Sequence, residues 1–221
     1  VLANGTTTHG MQDPADPATP LGYYHPDGPI GDLFTSGVDA PPRDVALVGL
    51  GTGALAAYGR TGDTFTYYEI DPAVARIASD PASFTYLADS AAATNIVLGD
   101  GRLSLERTEE VYDILVLDAF SSDAIPIHLL TAEAVRDYLG HLRSDGVLTI
   151  HISNRYFDLA PVVSRLAETF GLTAAGRLDA PSPEQVEAGH WSSTWVALAA
   201  DPAALSGLSA ADGWGGLPSG E

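Results

Sequence analysis

The chain has 221 residues, 45% of them hydrophobic, which is enough to bury a sizeable core in one α/β domain. Ten basic residues against 29 acidic ones give a formal charge of −19, which disfavours nucleic acid and anionic membrane surfaces and favours cations, polyamines included. Cysteine is absent, so disulfides, thiolate metal ligands and thiol nucleophiles are excluded. The acidity also has a plainer reading as a solubility trait.

Residues 1–40 are rich in Gly, Pro, Thr and Asp and are predicted to form a short strand and loop appendage folded against the larger unit and covering its site. That larger unit is expected over 41–200, with a flexible tail over 201–221, where Ala, Gly and Ser dominate. No apolar run approaches the roughly 18 residues that span a bilayer, and no signal peptide is evident. A cytoplasmic location is expected, with the soluble domain of a membrane protein as the alternative. Because the chain begins at Val1 rather than Met, it is read as a piece of something longer.

From Asp44 the pattern is regular. Strands are predicted at 45–49, 65–70, 94–98, 113–118, 146–152, 172–178 and 194–199. Helices are predicted near 53–59, 72–79, 131–143 and 157–170, with a turn at Ser144-Asp145-Gly146. The alternation implies a doubly wound, mostly parallel, seven-stranded α/β sheet of Rossmann-like type.

Ligands of such sheets bind at the carboxyl ends of the strands. The first strand runs into Gly49-Leu-Gly51-Thr52-Gly53, where the missing Cβ atoms of the glycines let the backbone approach a ligand closely. The second ends at Glu69, placed to accept hydrogen bonds from both ribose hydroxyls. The third leads to Gly99-Asp100-Gly101, the fourth to Asp118 and Asp123, the fifth to His151-Ile-Ser-Asn154. A turn or N-cap role is the competing reading for Asp100, Asp118 and Asp123. His128 and His141 are read as ordinary helix-region residues. No GxxxxGK[ST] run is present, and the third glycine of the loop comes one position too early for a dinucleotide fingerprint. The spacing favours a mononucleoside-like ligand such as an adenosyl sulfonium compound.

In order along the chain stand HGMQ (His9–Gln12), YYHPDGP (Tyr23–Pro29), the glycine loop, YYEID (Tyr67–Asp71), GDGR (Gly99–Arg102) and YDILVLDAFSSD (Tyr112–Asp123). Together they resemble the spermidine synthase family, the polyamine aminopropyltransferases. The combination of NGTTTHGMQ, DAFSSDAIPIHLLT and HISNRY most resembles a bacterial spermidine synthase-like branch whose members are often fused to membrane regions. It implies a class I methyltransferase-like fold, decarboxylated S-adenosylmethionine as co-substrate, an amine or polyamine acceptor, methylthioadenosine as product, no metal, and a homodimer. By position it implies that Glu69, with Ile70, holds the ribose side of the donor and that Asp100 and Gly101 meet adenine. Asp118 and Asp123 are the implied catalytic pair, although Ala119 and Phe120 are extra between them. Gln12, Tyr24 and His25 fall on a gatekeeper segment, with Tyr24 a catalytic candidate.

Two features depart from that family. Thr52 stands where its glycine loop carries an aspartate, and the N-terminal region is shorter. Two alternatives therefore accompany aminopropyl transfer. One is an enzyme using intact S-adenosylmethionine, by methyl transfer or by cleavage or cyclisation of the aminocarboxypropyl arm. The other is a non-catalytic adenosyl sensor.

Overall fold

The computed structural model describes residues 1–4, 7–36, 41–119, 126–154 and 157–217. Among the described residues nine strands run in chain order: β1 (Leu2–Asn4), β2 (Thr7–Gly10), β3 (Asp44–Val48), β4 (Thr64–Glu69), β5 (Ala93–Leu98), β6 (Tyr112–Leu117), β7 (Leu142–His151), β8 (Thr173–Asp179) and β9 (Ser193–Ala199). The first two form a small antiparallel sheet, and the other seven form a sheet ordered β5-β4-β3-β6-β7-β9-β8. Strands β5, β4, β3, β6 and β7 are mutually parallel, while β9 runs antiparallel to both β7 and β8. The seven predicted strands are therefore all present.

Central strand β3 shows why the apolar runs were legible. A parallel strand covered on both faces needs no polar alternation. Val45 and Leu47 enter one core with Phe65, Tyr67, Ile30 and Phe34. Ala46 and Val48 point the other way and pack with Leu115, Leu148, Val135 and Tyr138.

The covering helices are α1 (Pro29–Thr35), α2 (Pro72–Ala78), α3 (Tyr86–Asp89), α4 (Gly101–Leu105), α5 (Ala132–Gly140), α6 (Ala160–Phe170), α7 (Pro183–Glu187) and α8 (Ser206–Ser209). Helix α1 contributes Ile30, Leu33 and Phe34 to the first core, so the N-terminal segment is anchored by burial. Residues 53–59, predicted helical, form a 3-10 turn over Ala54–Tyr58. The turn stops at Gly59, whose backbone is extended at φ −67° and ψ 133°, and where only glycine fits against Ala92.

Helix α5 stops at Gly140 rather than 143, and the predicted turn at Ser144-Asp145-Gly146 lies inside β7. Tyr112 pairs with Leu142 and Ile114 with Val147, so the β6–β7 register shifts here and β7 takes up the extra residues. Residues 202–217, expected as a tail, carry a 3-10 turn, α8 and a bridge from Gly215 to Gly176. Leu205 and Leu208 are each 1% exposed there, so two apolar side chains outweigh the surrounding Gly and Ser. Among the described residues no helix is long and apolar enough to cross a membrane.

Candidate functional site

The carboxyl ends of β3, β4 and β6 meet at Gly49, Glu69 and Asp118. Glu69 ties the first two together. Its Oε2 accepts the Leu50 N–H at 3.0 Å and its Oε1 accepts the Asp71 N–H at 2.8 Å. The residue is 7% exposed, and each carboxylate oxygen keeps acceptor capacity beyond these bonds.

Glycine is required at two places here by close approach of the chain itself. Gly49 has φ 104°, and a Cβ on it would lie 2.4 Å from the backbone oxygen of Asp118. Gly51 has φ 54°, and its Cβ would lie 2.6 Å from the backbone oxygen of His9. Strand β2 therefore lies directly over the loop. Thr52 is fully buried under Gly10, and its Oγ1 has no hydrogen-bond partner. Gly53 begins the 3-10 turn in a left-handed conformation beside Leu87.

Asp118 is held from two sides. The Tyr24 hydroxyl donates to its Oδ2 at 2.6 Å. His151 Nδ1 lies 2.7 Å from its Oδ1. With the carboxylate accepting, Nδ1 carries the proton. Ser153 Oγ accepts the Thr194 N–H at 2.8 Å and lies 2.7 Å from His151 Nε2, so its own proton points to that nitrogen. The result is a continuous chain, Tyr24–Asp118–His151–Ser153. The Asp118 side chain is 9% exposed and that of His151 3%. Burial first, and the Asp118 charge second, push the Tyr24 phenol well above its ordinary pKa, so it stays a donor.

Aromatic rings wall the network. His151 stacks on Trp195 with centroids 4.3 Å apart, and Tyr23 packs against His151 at 5.3 Å and edge-on to Trp191 at 5.4 Å. The β7–β9 register pairs His151 with Trp195 directly.

The remaining candidates fall nearby in different settings. Asp100 caps α4, accepting the Leu103 N–H at 3.0 Å through Oδ1, while its Oδ2 lies 3.2 Å from His128 Nε2. His128, read from the sequence as an ordinary helix residue, thus belongs to the surroundings of Asp100. Gly101 packs against Val48, and Ile70 is 69% exposed beside Glu69.

Gln12 pins the N-terminal segment to the start of α3. Its Nε2 donates to Thr85 Oγ1 at 3.0 Å and to the Pro17 carbonyl at 2.8 Å, and its Oε1 accepts the Thr85 N–H at 2.9 Å. His25 stacks on His190 at 4.5 Å. Burial, then the neighbouring His190, hold its pKa below the ordinary imidazole value. Asp123 lies outside the described residues.

The sequence placed His151 and Ser153 at the end of the fifth strand but gave neither a role, and Trp191 and Trp195 were not singled out. His151 stood at a strand end, the one signal available, but no spacing links it to Asp118. A groove of about 510 Å³, lined by Thr64, Thr66, Tyr68, Asn95 and Val97 among others, includes none of these site residues.

No family model matches the chain. It is 33% identical to the polyamine aminopropyltransferase of Vibrio vulnificus over 113 residues, 48% of this chain and 36% of that protein. It is 26% identical to the polyamine aminopropyltransferase of Sulfolobus acidocaldarius over 174 residues, 75% of this chain and 56% of that protein. The chain therefore spans from about a third to little more than half of the length of these curated relatives. Among solved structures, a probable spermidine synthase from Corynebacterium glutamicum matches with a TM-score of 0.63 at 16% identity, over 91% of this chain and 77% of that one. Human methyltransferase-like protein 13 in complex with SAH matches with a TM-score of 0.57 at 18% identity, over 73% of each chain. The fold is class I methyltransferase-like.

Proposed function

We propose that the chain is an adenosyl-dependent transferase that moves an aminopropyl group from decarboxylated S-adenosylmethionine to an amine. The observation that carries this reading is Asp118, partly buried at the end of β6 and fixed at both oxygens by Tyr24 and His151. The similarity to two polyamine aminopropyltransferases supports it.

In the reaction, the amine nitrogen attacks the carbon bonded to the sulfonium. The C–N bond forms as the C–S bond breaks, and the electron pair stays on sulfur, giving neutral methylthioadenosine. A free alkylamine has a pKa of about 10 and is almost wholly protonated at neutral pH. Asp118 takes the ammonium proton before attack, which exposes the nitrogen lone pair. Tyr24 and His151 keep the carboxylate oriented, so positioning accompanies proton transfer.

Tyr23 and Trp191 offer ring faces on which a cationic acceptor gains cation–π attraction. Glu69 takes the ribose hydroxyls through its remaining acceptor sites, and Ile70, Asp100 and Gly101 flank the adenine. A formal charge of −19 draws cationic acceptors toward the protein.

A second reading is favoured by Thr52. It is fully buried and lies under Gly10, so the loop adds no carboxylate to hold the amine of a decarboxylated arm. A donor that keeps its own carboxylate meets less repulsion there, which suits intact S-adenosylmethionine.

One experiment separates the two. The protein is incubated with each donor and a panel of diamines, and products are identified by mass spectrometry. Methylthioadenosine from the decarboxylated donor, in an amine-dependent manner, is expected. S-adenosylhomocysteine, or methylthioadenosine released from the intact donor alone, establishes the second reading. Absence of product from either donor, with methylthioadenosine still bound, leaves a sensor.

A further inference from the structure

Behind Tyr24 the chain gathers a second set of polar groups that the proposed chemistry does not use. His25 and Asp27 come from the segment leading into α1, and His190 comes from the connection between α7 and β9. Single ligand atoms from the three residues lie within 4.8 Å of one another.

His190 is the informative member. It is 2% exposed. Its Nε2 faces Asp179 Oδ2 at 2.5 Å, and Asp179 also accepts Arg177 Nη2 at 3.2 Å. A carboxylate in that company accepts, so Nε2 carries the proton and Nδ1 is left with a bare lone pair. That Nδ1 is buried and has no hydrogen-bond partner. A buried acceptor left without a partner is costly, and it calls for a ligand. A carboxylate that fixes one imidazole nitrogen while the other faces inward is the usual support for a metal-binding histidine.

We propose that His190 Nδ1, His25 and Asp27 form a site for a first-row divalent cation, with water completing the shell. Two imidazoles and one carboxylate suit Zn²⁺, Ni²⁺ or Co²⁺ and do not suit Mg²⁺ or Ca²⁺.

The resting geometry shapes how the ion enters. The two rings are stacked with planes 6° apart, so their lone pairs run side by side. A shared ion at about 2.1 Å from each nitrogen requires the rings to splay. His190 is locked by Asp179. His25 sits on a loop and is partly exposed, and its Nδ1 contact to the Asp27 N–H is long, at 3.2 Å. His25 is therefore the ring that turns. Asp27 has a side chain 72% exposed and closes over the ion from solvent. Bound metal ties the segment that carries Tyr24 to the β9 side of the sheet, so it bears on how firmly Asp118 is held.

Calorimetry with Zn²⁺ and Mg²⁺ on the metal-free protein tests this, alongside thermal melts and Co²⁺ absorption spectra. Wild type is expected to bind one equivalent of Zn²⁺, to melt higher with it, and to ignore Mg²⁺. His190→Gln and His25→Gln each weaken Zn²⁺ affinity at least tenfold and abolish the melting shift. Asp27→Asn, at an exposed carboxylate, weakens it without disturbing the fold, so the proposal stays testable if a histidine variant misfolds. Absence of Zn²⁺ binding overturns it. So does Zn²⁺ binding that is equal in wild type, His25→Gln and Asp27→Asn, since that marks ions held loosely by the acidic surface.

Discussion

Two carboxylates, one buried and one partly buried, occupy opposite ends of one sheet, and their company differs. Asp63 precedes β4 at the amino end, is 1% exposed, and receives hydrogen bonds from Arg43 and Arg60 through both guanidinium and backbone N–H groups. Asp118 follows β6 at the carboxyl end and is held by a phenol and an imidazole. The first carboxylate is neutralised by fixed cations. The second is oriented by Tyr24 and His151, and in the proposed reaction its charge meets the incoming ammonium. Placement at the carboxyl end is where ligands of α/β sheets bind, so the contrast sets a group that holds the fold against the one the proposed reaction uses.

The largest effect expected from breaking this contrast is on stability. Asp63→Asn leaves two guanidinium groups short of their counter-charge. Breaking a buried pair costs about 3–5 kcal/mol, to be read from urea unfolding, while turnover per folded molecule stays at the wild-type level.

Acid gives a related test. Burial alone raises the Asp63 pKa, but the hydrogen bonds from Arg60 and Arg43 win and hold it at about 2 against an ordinary 3.8. A carboxylate depressed in the folded state stabilises above its unfolded pKa and loses that contribution as pH falls through the folded value. Stability should therefore drop by about 2 kcal/mol between roughly pH 4 and pH 2. Asp63→Asn should lack that part of the drop.

Tyr24→Phe is the next smaller change. It strips one donor from Asp118 and keeps the ring in the core. A hydrogen bond to a charged group is worth about 1.5–3 kcal/mol, so turnover should fall about tenfold or more. An unchanged rate in steady-state assays would mean that Tyr24 is packing only.

The smallest effect is expected at Thr52. Thr52→Val removes a buried hydroxyl that has no partner. Stability should hold or rise by under about 1 kcal/mol, and calorimetry should show unchanged methylthioadenosine affinity. Weaker binding would mean that the hydroxyl reaches a ligand after all.

How far these features were legible depends on what kind of contact defines them. The strands were readable because a parallel strand buried on both faces is an unbroken apolar run, as in Val45–Val48 and Ile114–Leu117. The short α3 and α4 were not predicted, because four or five residues carry too little periodicity. Gly49 and Gly51 were legible as glycines, with close approach expected from a ligand. The close approach present is that of the chain's own Asp118 and His9 backbones.

Glu69 and Asp118 could be located because they end apolar runs. The chain through His151 to Ser153 could not. It depends on the parallel register that sets Leu117 opposite Ile150, and on β9 running antiparallel to bring Trp195 under the ring. The clamp of Arg43 and Arg60 on Asp63 is equally a product of strand order.

The most direct test of the distinction between the two carboxylates is amine-dependent methylthioadenosine release by wild type, Asp118→Asn and Asp63→Asn, each corrected for folded fraction. Release by wild type and Asp63→Asn, with release by Asp118→Asn lower by at least about a hundredfold and methylthioadenosine binding intact, is the predicted outcome. Equal release by Asp118→Asn and wild type would contradict the assignment of Asp118 to proton transfer.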